Sequence, residues 1–255
     1  TTYRIPVSQL LPYDSLLVPF AYFFYQNKGK PSAGQRKYLE EFFWRISLSS
    51  RYSSATESKL AQDIKRIDLI LADTRPDYSD IKVYLDSPQA LMDTNFSAGN
   101  SYCKAILCLL AYEEPKDFQD NGKVILDNSW LKVASSKNYH HFFPKAFLKN
   151  NTLLNSNSLV NITFVSDHLN KRKIGAIAPS VYIADFQDEN SQINKALQSH
   201  FIDLDGFGIE SDDYEVFLNA RAKVIYENLK SRIELSHKEP VNEEVQELIF
   251  AGESD

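Results

Sequence analysis

The sequence predicts a mainly α-helical protein with a short strand–loop–strand–helix unit embedded in it. Apolar residues recur at helical spacing in several stretches, most clearly Tyr214, Leu218, Ala222, Ile225, Leu229 and Ile233. β-Rich residues gather in two short pieces, Tyr139–Phe143 and Asn161–Val165. With 43% hydrophobic and 24% charged residues over 255 positions the composition is that of an ordinary globular chain, which excludes wholesale disorder and a fibrous repeat.

Taken in order, the run Leu16–Tyr25 is apolar on nearly every side, so a helix there is expected to be buried. It holds ten residues including Pro19, whereas a membrane-spanning helix needs about 20 apolar residues. Gly29, Pro31 and Gly34 mark a loop. Tyr38, Leu39, Phe42, Phe43 and Ile46 form a second helical stripe, and Ser54-Ala55-Thr56-Glu57 has the form of a capping box before Leu60, Ile64, Ile67 and Leu71. Pro76-Asp77 breaks this pattern, and another helix is expected from Ser101 to Tyr112, stopped by Pro115. A boundary is placed there, giving a helical region at 1–115 and a second unit at 116–236. Asn121-Gly122 signals a turn; Val124–Leu126 and Trp130–Leu131 are strands or irregular pieces. Ser211-Asp212-Asp213 supplies a cap and two acids to the start of the last helix. Residues 237–255 are acidic and poor in apolar side chains, and are expected to be a solvated, partly disordered tail.

Cys103 and Cys108, five positions apart in one helix, cannot bridge without unwinding it. A reducing, cytoplasmic compartment is expected, and a cysteine-built zinc site is excluded. The start at Thr1, without Met or a leader pattern, reads as part of a longer cytoplasmic chain. A net charge of −6 excludes a protein that coats nucleic acid nonspecifically, because that affinity comes from many Lys and Arg contacts to phosphate.

The informative segment is Asn138-Tyr139-His140-His141-Phe142-Phe143-Pro144-Lys145, followed by Val160–Val165 and Ser166-Asp167-His168-Leu169-Asn170-Lys171. Phosphodiester hydrolysis needs a base to deprotonate water and a cation to stabilise charge on the phosphorane. Imidazoles and a carboxamide in one small unit can supply both. Adjacent strand residues point to opposite faces, so His140 and His141 share one edge only if the strand distorts near Pro144.

The segment resembles the HNH, or ββα-metal, nuclease motif: an acid or His, then His, a hydrophobic residue, any residue and Pro. His140-His141-Phe142-Phe143-Pro144 matches it, and Asn161, Asn170-Lys171-Arg172-Lys173 and Pro179-Ser180 follow in the motif's order. The chain is most similar to the C-terminal nuclease part of GmrSD-type restriction endonucleases. Arg51-Tyr52-Ser53 and the helices before it look like the helical segment linking that nuclease to an N-terminal nucleotidase domain, which is missing from this sequence. The resemblance implies a mainly α protein with an embedded ββα-metal unit. In it His141 is the general base, Asn161 braces the hairpin and orients His141, and His140 and Asn170 hold a divalent ion, magnesium or manganese. Lys145, Lys171, Arg172 and Lys173 would contact the nucleic-acid backbone. The implied partners are DNA, the absent nucleotidase domain and a second copy for double-strand cleavage, with no membrane.

Charge distribution agrees with a phosphate-binding surface. Between Trp130 and Tyr182 there are seven basic residues against Asp167 alone, a net +6 that leaves −12 for the rest of the chain. The ordinary alternatives are a strand-end Asn bonding its own backbone for Asn161, a solvated helix face for Lys171-Arg172-Lys173, and packed roles for His168 and His200. The function expected is a metal-dependent endonuclease in phage defence; the rival is a noncatalytic helical module that binds nucleic acid or another domain.

Overall fold

The computed structural model describes residues 8–126, 139–149, 154–166, 169 and 173–234. In chain order its elements are α1 (Leu17–Gln26), α2 (Ala33–Ser47), α3 (Thr56–Leu71), α4 (Pro88–Asp93), α5 (Ser101–Tyr112), β1 (Tyr139–His141), α6 (Lys145–Leu148), β2 (Ile162–Phe164), α7 (Pro179–Glu189), α8 (Ile193–Gln198) and α9 (Tyr214–Ile233). The architecture is mainly helical with one two-stranded antiparallel sheet. The helix expected after Ser166 falls largely outside the described residues, as do Asp167, His168, Asn170, Lys171, Arg172, Trp130–Leu131 and the tail.

α1 departs from the expected all-round burial. Pro19 and Phe23 face inward, whereas Leu17, Val18, Phe24 and Tyr25 are exposed. Being apolar on every side does not bury a helix that has neighbours on one side only. α1 packs against α3 and sets Phe20 against the rings of Phe42 and Phe43.

The capping box belongs to α2 and not to α3. Ser32 Oγ accepts from the Gln35 amide at 3.0 Å while Gln35 Oε1 accepts from the Ser32 amide at 2.9 Å. At the expected position Ser54 is extended and the N-cap is Ala55, left-handed at φ 49°, so no side chain caps α3. Ser54 stands one residue too early, and Ala55 has no oxygen to offer.

Two buried acids organise the helical region. Glu41, fully buried on α2, accepts from Arg45 Nε at 2.8 Å and from Arg75 Nη2 at 2.6 Å. Asp63, fully buried on α3, accepts from Arg51 Nε and the Tyr52 hydroxyl, each at 2.7 Å, and from Arg66 Nη1 at 2.6 Å. Asp80 closes the cluster by pairing with both Arg51 and Arg66. Arg51-Tyr52 is thereby a structural clamp, with each desolvated charge compensated.

α9 begins as expected. The Asp213 carboxylate accepts from the Val216 amide at 3.0 Å, and Tyr214, Leu218, Ala222, Ile225 and Leu229 are buried along one stripe. Asp212 instead caps a second helix, accepting from the Ser180 amide at 2.8 Å and the Ser180 hydroxyl at 2.6 Å at the start of α7. α9 packs across α4 and α2 and also touches the 3₁₀ turn Leu159–Asn161. It therefore joins the segments on both sides of the boundary expected at 115, and one contiguous core runs through both. Val124–Leu126 is irregular, with a single bridge nearby between Lys116 and Lys123. Cys103 and Cys108 are free and buried. Among the described residues no helix is long and apolar enough to cross a membrane.

Candidate active site

β1 and β2 pair antiparallel with Tyr139 opposite Phe164, His140 opposite Thr163 and His141 opposite Ile162. The pairing is regular through His141, so the two histidines leave the ribbon on opposite faces. His140 is 3% exposed; His141 is half-buried on the other face, beside Phe96, which also meets Tyr139 edge-on. The distortion that would bring both rings to one edge is not present.

The chain turns immediately after β1, and Asn161 holds that turn. Its Oδ1 accepts from the Phe143 amide and its Nδ2 donates to the Phe143 carbonyl, both at 2.9 Å, while its own carbonyl accepts from the Phe142 amide at 2.9 Å. All three contacts are buried, and Asn161 is fully enclosed. Oδ1 and Nδ2 bond the two main-chain groups of one residue, Phe143, which fixes the backbone leaving His141. Asn161 does not touch the His141 ring. From behind, Phe142 stacks on Phe217 of α9 at 4.9 Å between centroids, and the Tyr182 hydroxyl of α7 donates to the Phe142 carbonyl at 2.6 Å.

His141 Nε2 lies 3.0 Å from Asn157 Oδ1. Burial lowers the His141 pKa, the Asn157 bond opposes that, and the Lys145 charge lowers it further. The ring is therefore neutral near pH 7, as a general base must be. Lys145 itself is exposed at the start of α6.

His140 is a buried neutral imidazole, its pKa pushed down to about 3 chiefly by desolvation, with His141 and His200 adding to it. The Thr163 hydroxyl donates to the His140 carbonyl and lies 3.3 Å from His140 Nδ1. With the hydroxyl proton directed at the carbonyl, Nδ1 is the donor and Nε2 carries the lone pair. Among the described residues Nε2 has no hydrogen-bond partner. A buried imidazole nitrogen with a bare lone pair suits a metal ligand. Its expected companion, Asn170, lies outside the described residues, and among the described residues no group of three His, Cys, Asp or Glu side chains could share an ion.

Of the expected phosphate contacts, Lys171 and Arg172 lie outside the described residues. Lys173 Nζ pairs with Glu189 Oε1 of α7 at 2.8 Å, both side chains being partly exposed. The solvated pair opposes free phosphate contact by Lys173 but leaves it exchangeable.

His200 is packed, as its apolar neighbours in sequence suggest. It is fully buried, with Nε2 2.8 Å from the Phe164 carbonyl and Nδ1 2.9 Å from the Ala196 carbonyl. Its own carbonyl accepts from Nε of Arg221 at 3.0 Å, and Arg221 Nη1 donates to the Val160 carbonyl next to Asn161. Arg221 and Asn157 were not singled out by the sequence. Arg221 falls on the otherwise apolar buried face of α9, a signal that periodicity does reveal; Asn157 belongs to Asn155-Ser156-Asn157-Ser158, which resembles any polar loop.

No protein-family model and no solved structure matches the chain. It is similar to a protein of Methanocaldococcus jannaschii described as uncharacterized, 28% identical over a 219-residue alignment that covers 75% of this chain and 36% of that protein. The chain thus spans little more than a third of the length of this curated relative, its 36% share.

Proposed function

We propose that this chain is a metal-dependent endonuclease that hydrolyses phosphodiester bonds, the nuclease part of a modification-dependent restriction protein acting on DNA in phage defence. The observation that carries the reading is the neutral, half-buried His141, bonded through Nε2 to Asn157 on a backbone clipped by Asn161. An imidazole with one nitrogen committed as donor has the other free to accept a proton from water. His140 and Asn170 would hold a divalent ion, magnesium or manganese, which supplies positive charge beside the scissile phosphate. Lys145 lies on the element that follows the turn, and with Lys171, Arg172 and Lys173 it would position the phosphate backbone. One such site cuts one strand, so double-strand cleavage takes two copies or two nicks.

The rival reading is a noncatalytic module that binds nucleic acid or another domain. The opposite faces taken by His140 and His141 and the Lys173–Glu189 pair favour it. The two readings separate in one assay: supercoiled plasmid is incubated with the purified chain and magnesium or manganese. Metal-dependent nicking that His141→Ala abolishes supports the enzyme. Retention of the plasmid in a gel shift, with no turnover under either metal, sinks it.

A further inference from the structure

The strand-like segment after α4 is bound to the loop that carries Asn157. The Leu159 amide donates to the Thr94 carbonyl at 2.8 Å, Asn95 bridges Ser158, and the Phe96 amide donates to the Asn157 carbonyl at 2.8 Å. The Asn157 carboxamide closes the arrangement: Nδ2 donates to the Phe96 carbonyl at 3.1 Å, and Oδ1 faces His141 Nε2 at 3.0 Å. The Phe96 ring packs edge-on against His141, with centroids 6.4 Å apart.

This geometry leaves one proton arrangement. A carbonyl can only accept, so the Asn157 group facing Phe96 must be the NH₂. Turning the amide over would set two oxygens against each other. Oδ1 therefore faces His141, and an oxygen with no proton requires a donor there. Nε2 carries the hydrogen and Nδ1 is left with the lone pair.

We propose that Asn157 is a positioning residue for His141. Held by Phe96, it fixes the Nε2–H tautomer and so presents Nδ1 as the nitrogen that takes a proton. The helical region is then part of the site, because the group that orients Asn157 is a main-chain carbonyl between α4 and α5. The catalytic consequence rests on the endonuclease reading; the tautomer does not.

The test uses the whole chain, labelled with ¹⁵N at histidine, and long-range ¹H–¹⁵N spectra that distinguish the two tautomers at His141. The unaltered protein is expected to show Nε2–H. Asn157→Leu, which fills similar space without an acceptor, is expected to yield a mixture or Nδ1–H, while Asn157→Asp, which keeps the acceptor for His141 but loses the donor to the Phe96 carbonyl, retains Nε2–H with looser positioning. With plasmid as substrate, Asn157→Leu is expected to lower kcat by about 10²- to 10⁴-fold with little change in KM, the range lost when a histidine base is absent or held in its wrong tautomer. Asn157→Asp is expected to recover part of that loss. An Nδ1–H tautomer in the unaltered protein overturns the proposal, as does unchanged tautomer and kcat in a folded Asn157→Leu. If the unaltered chain fails to cleave, the nuclease reading falls, and the spectra alone decide whether Asn157 sets the tautomer.

Discussion

The helical region and the hairpin region compensate buried ionisable groups in different ways. In the helical region each buried acid is matched: Glu41 holds Arg45 and Arg75, and Asp63 holds Arg51 and Arg66. Around the hairpin the buried basic side chains are His140, His200 and Arg221, whose described partners are hydroxyls and main-chain carbonyls rather than acids. Among the described residues two nitrogens there, His140 Nε2 and Arg221 Nη2, have no hydrogen-bond partner. Burial accordingly pushes His200 down to about 4 and Arg221 down to about 9, although a guanidinium keeps its proton at neutral pH. A charge network closed on itself makes a scaffold. Unmatched polarity costs stability and is retained where a site uses it.

Five variants break or sharpen this contrast, beginning with the largest expected effect. His141→Ala is expected to lower plasmid nicking by about 10²- to 10⁴-fold, with an unchanged melting curve, because the half-buried ring is not part of the core. Equal nicking by a folded His141→Ala protein removes His141 from the site.

Asp63→Asn strands Arg51 and Arg66 without their buried acid, and removing one partner of such a cluster costs about 3–5 kcal/mol. Urea unfolding measures the loss. A loss below about 1 kcal/mol would show the network to be as weak as a surface pair. Arg221→Met provides the matching test at the hairpin, since it removes a cation that strands no acid. Two carbonyls lose donors and a desolvated charge disappears, so the net cost is expected to be smaller, about 1–2 kcal/mol. A larger cost than that of Asp63→Asn reverses the comparison.

The pH dependence of stability follows from His200. Its folded pKa, about 4, lies below the ordinary value of 6.5, so as pH falls the unfolded chain takes up the proton first. Stability is full above about pH 6.5 and declines toward pH 4; the Ala196 and Phe164 carbonyls that face the two His200 nitrogens favour the protonated ring, so the decline stays below the ~3 kcal/mol that the shift alone would give. His140, lowered to about 3, acts in the same direction. Unfolding midpoints in urea between pH 7 and pH 4 are expected to fall less in His200→Gln than in the unaltered chain, and parallel declines would remove His200 as the cause. The smallest effect concerns Lys173. Because its charge is shared with Glu189, Lys173→Ala is expected to change the salt slope of DNA binding by less than the ~0.9 that one full phosphate contact contributes, whereas a full change would mean that the pair opens on binding.

Local chemistry was legible wherever one short segment contains its own cause. The α9 stripe and its Asp213 cap, the Ser101–Tyr112 helix, and the two pieces that pair as β1 and β2 could all be read from residue spacing. The place of Asn161 at the hairpin was implied by the resemblance to the ββα-metal motif and not by spacing. The sequence could not distinguish the Ser54 box from the one that forms at Ser32, since both have an oxygen three residues before Glu or Gln. That choice depends on whether the residue before the helix is the Ser itself, which backbone packing settles.

By itself the sequence determined the helical class, the charged hairpin segment and the identity of the imidazoles, because propensity, periodicity and side-chain chemistry are properties of neighbours along the chain. Only the tertiary structure decided which groups are left without partners. The exposure of α1, the burial of His140 and the attachment of His141 through Asn157 to Phe96, 61 positions before it, all depend on residues distant in the chain. Hydrogen-bond satisfaction is a property of the packed interior, where each donor finds its acceptor in space and no spacing along the chain records the pair.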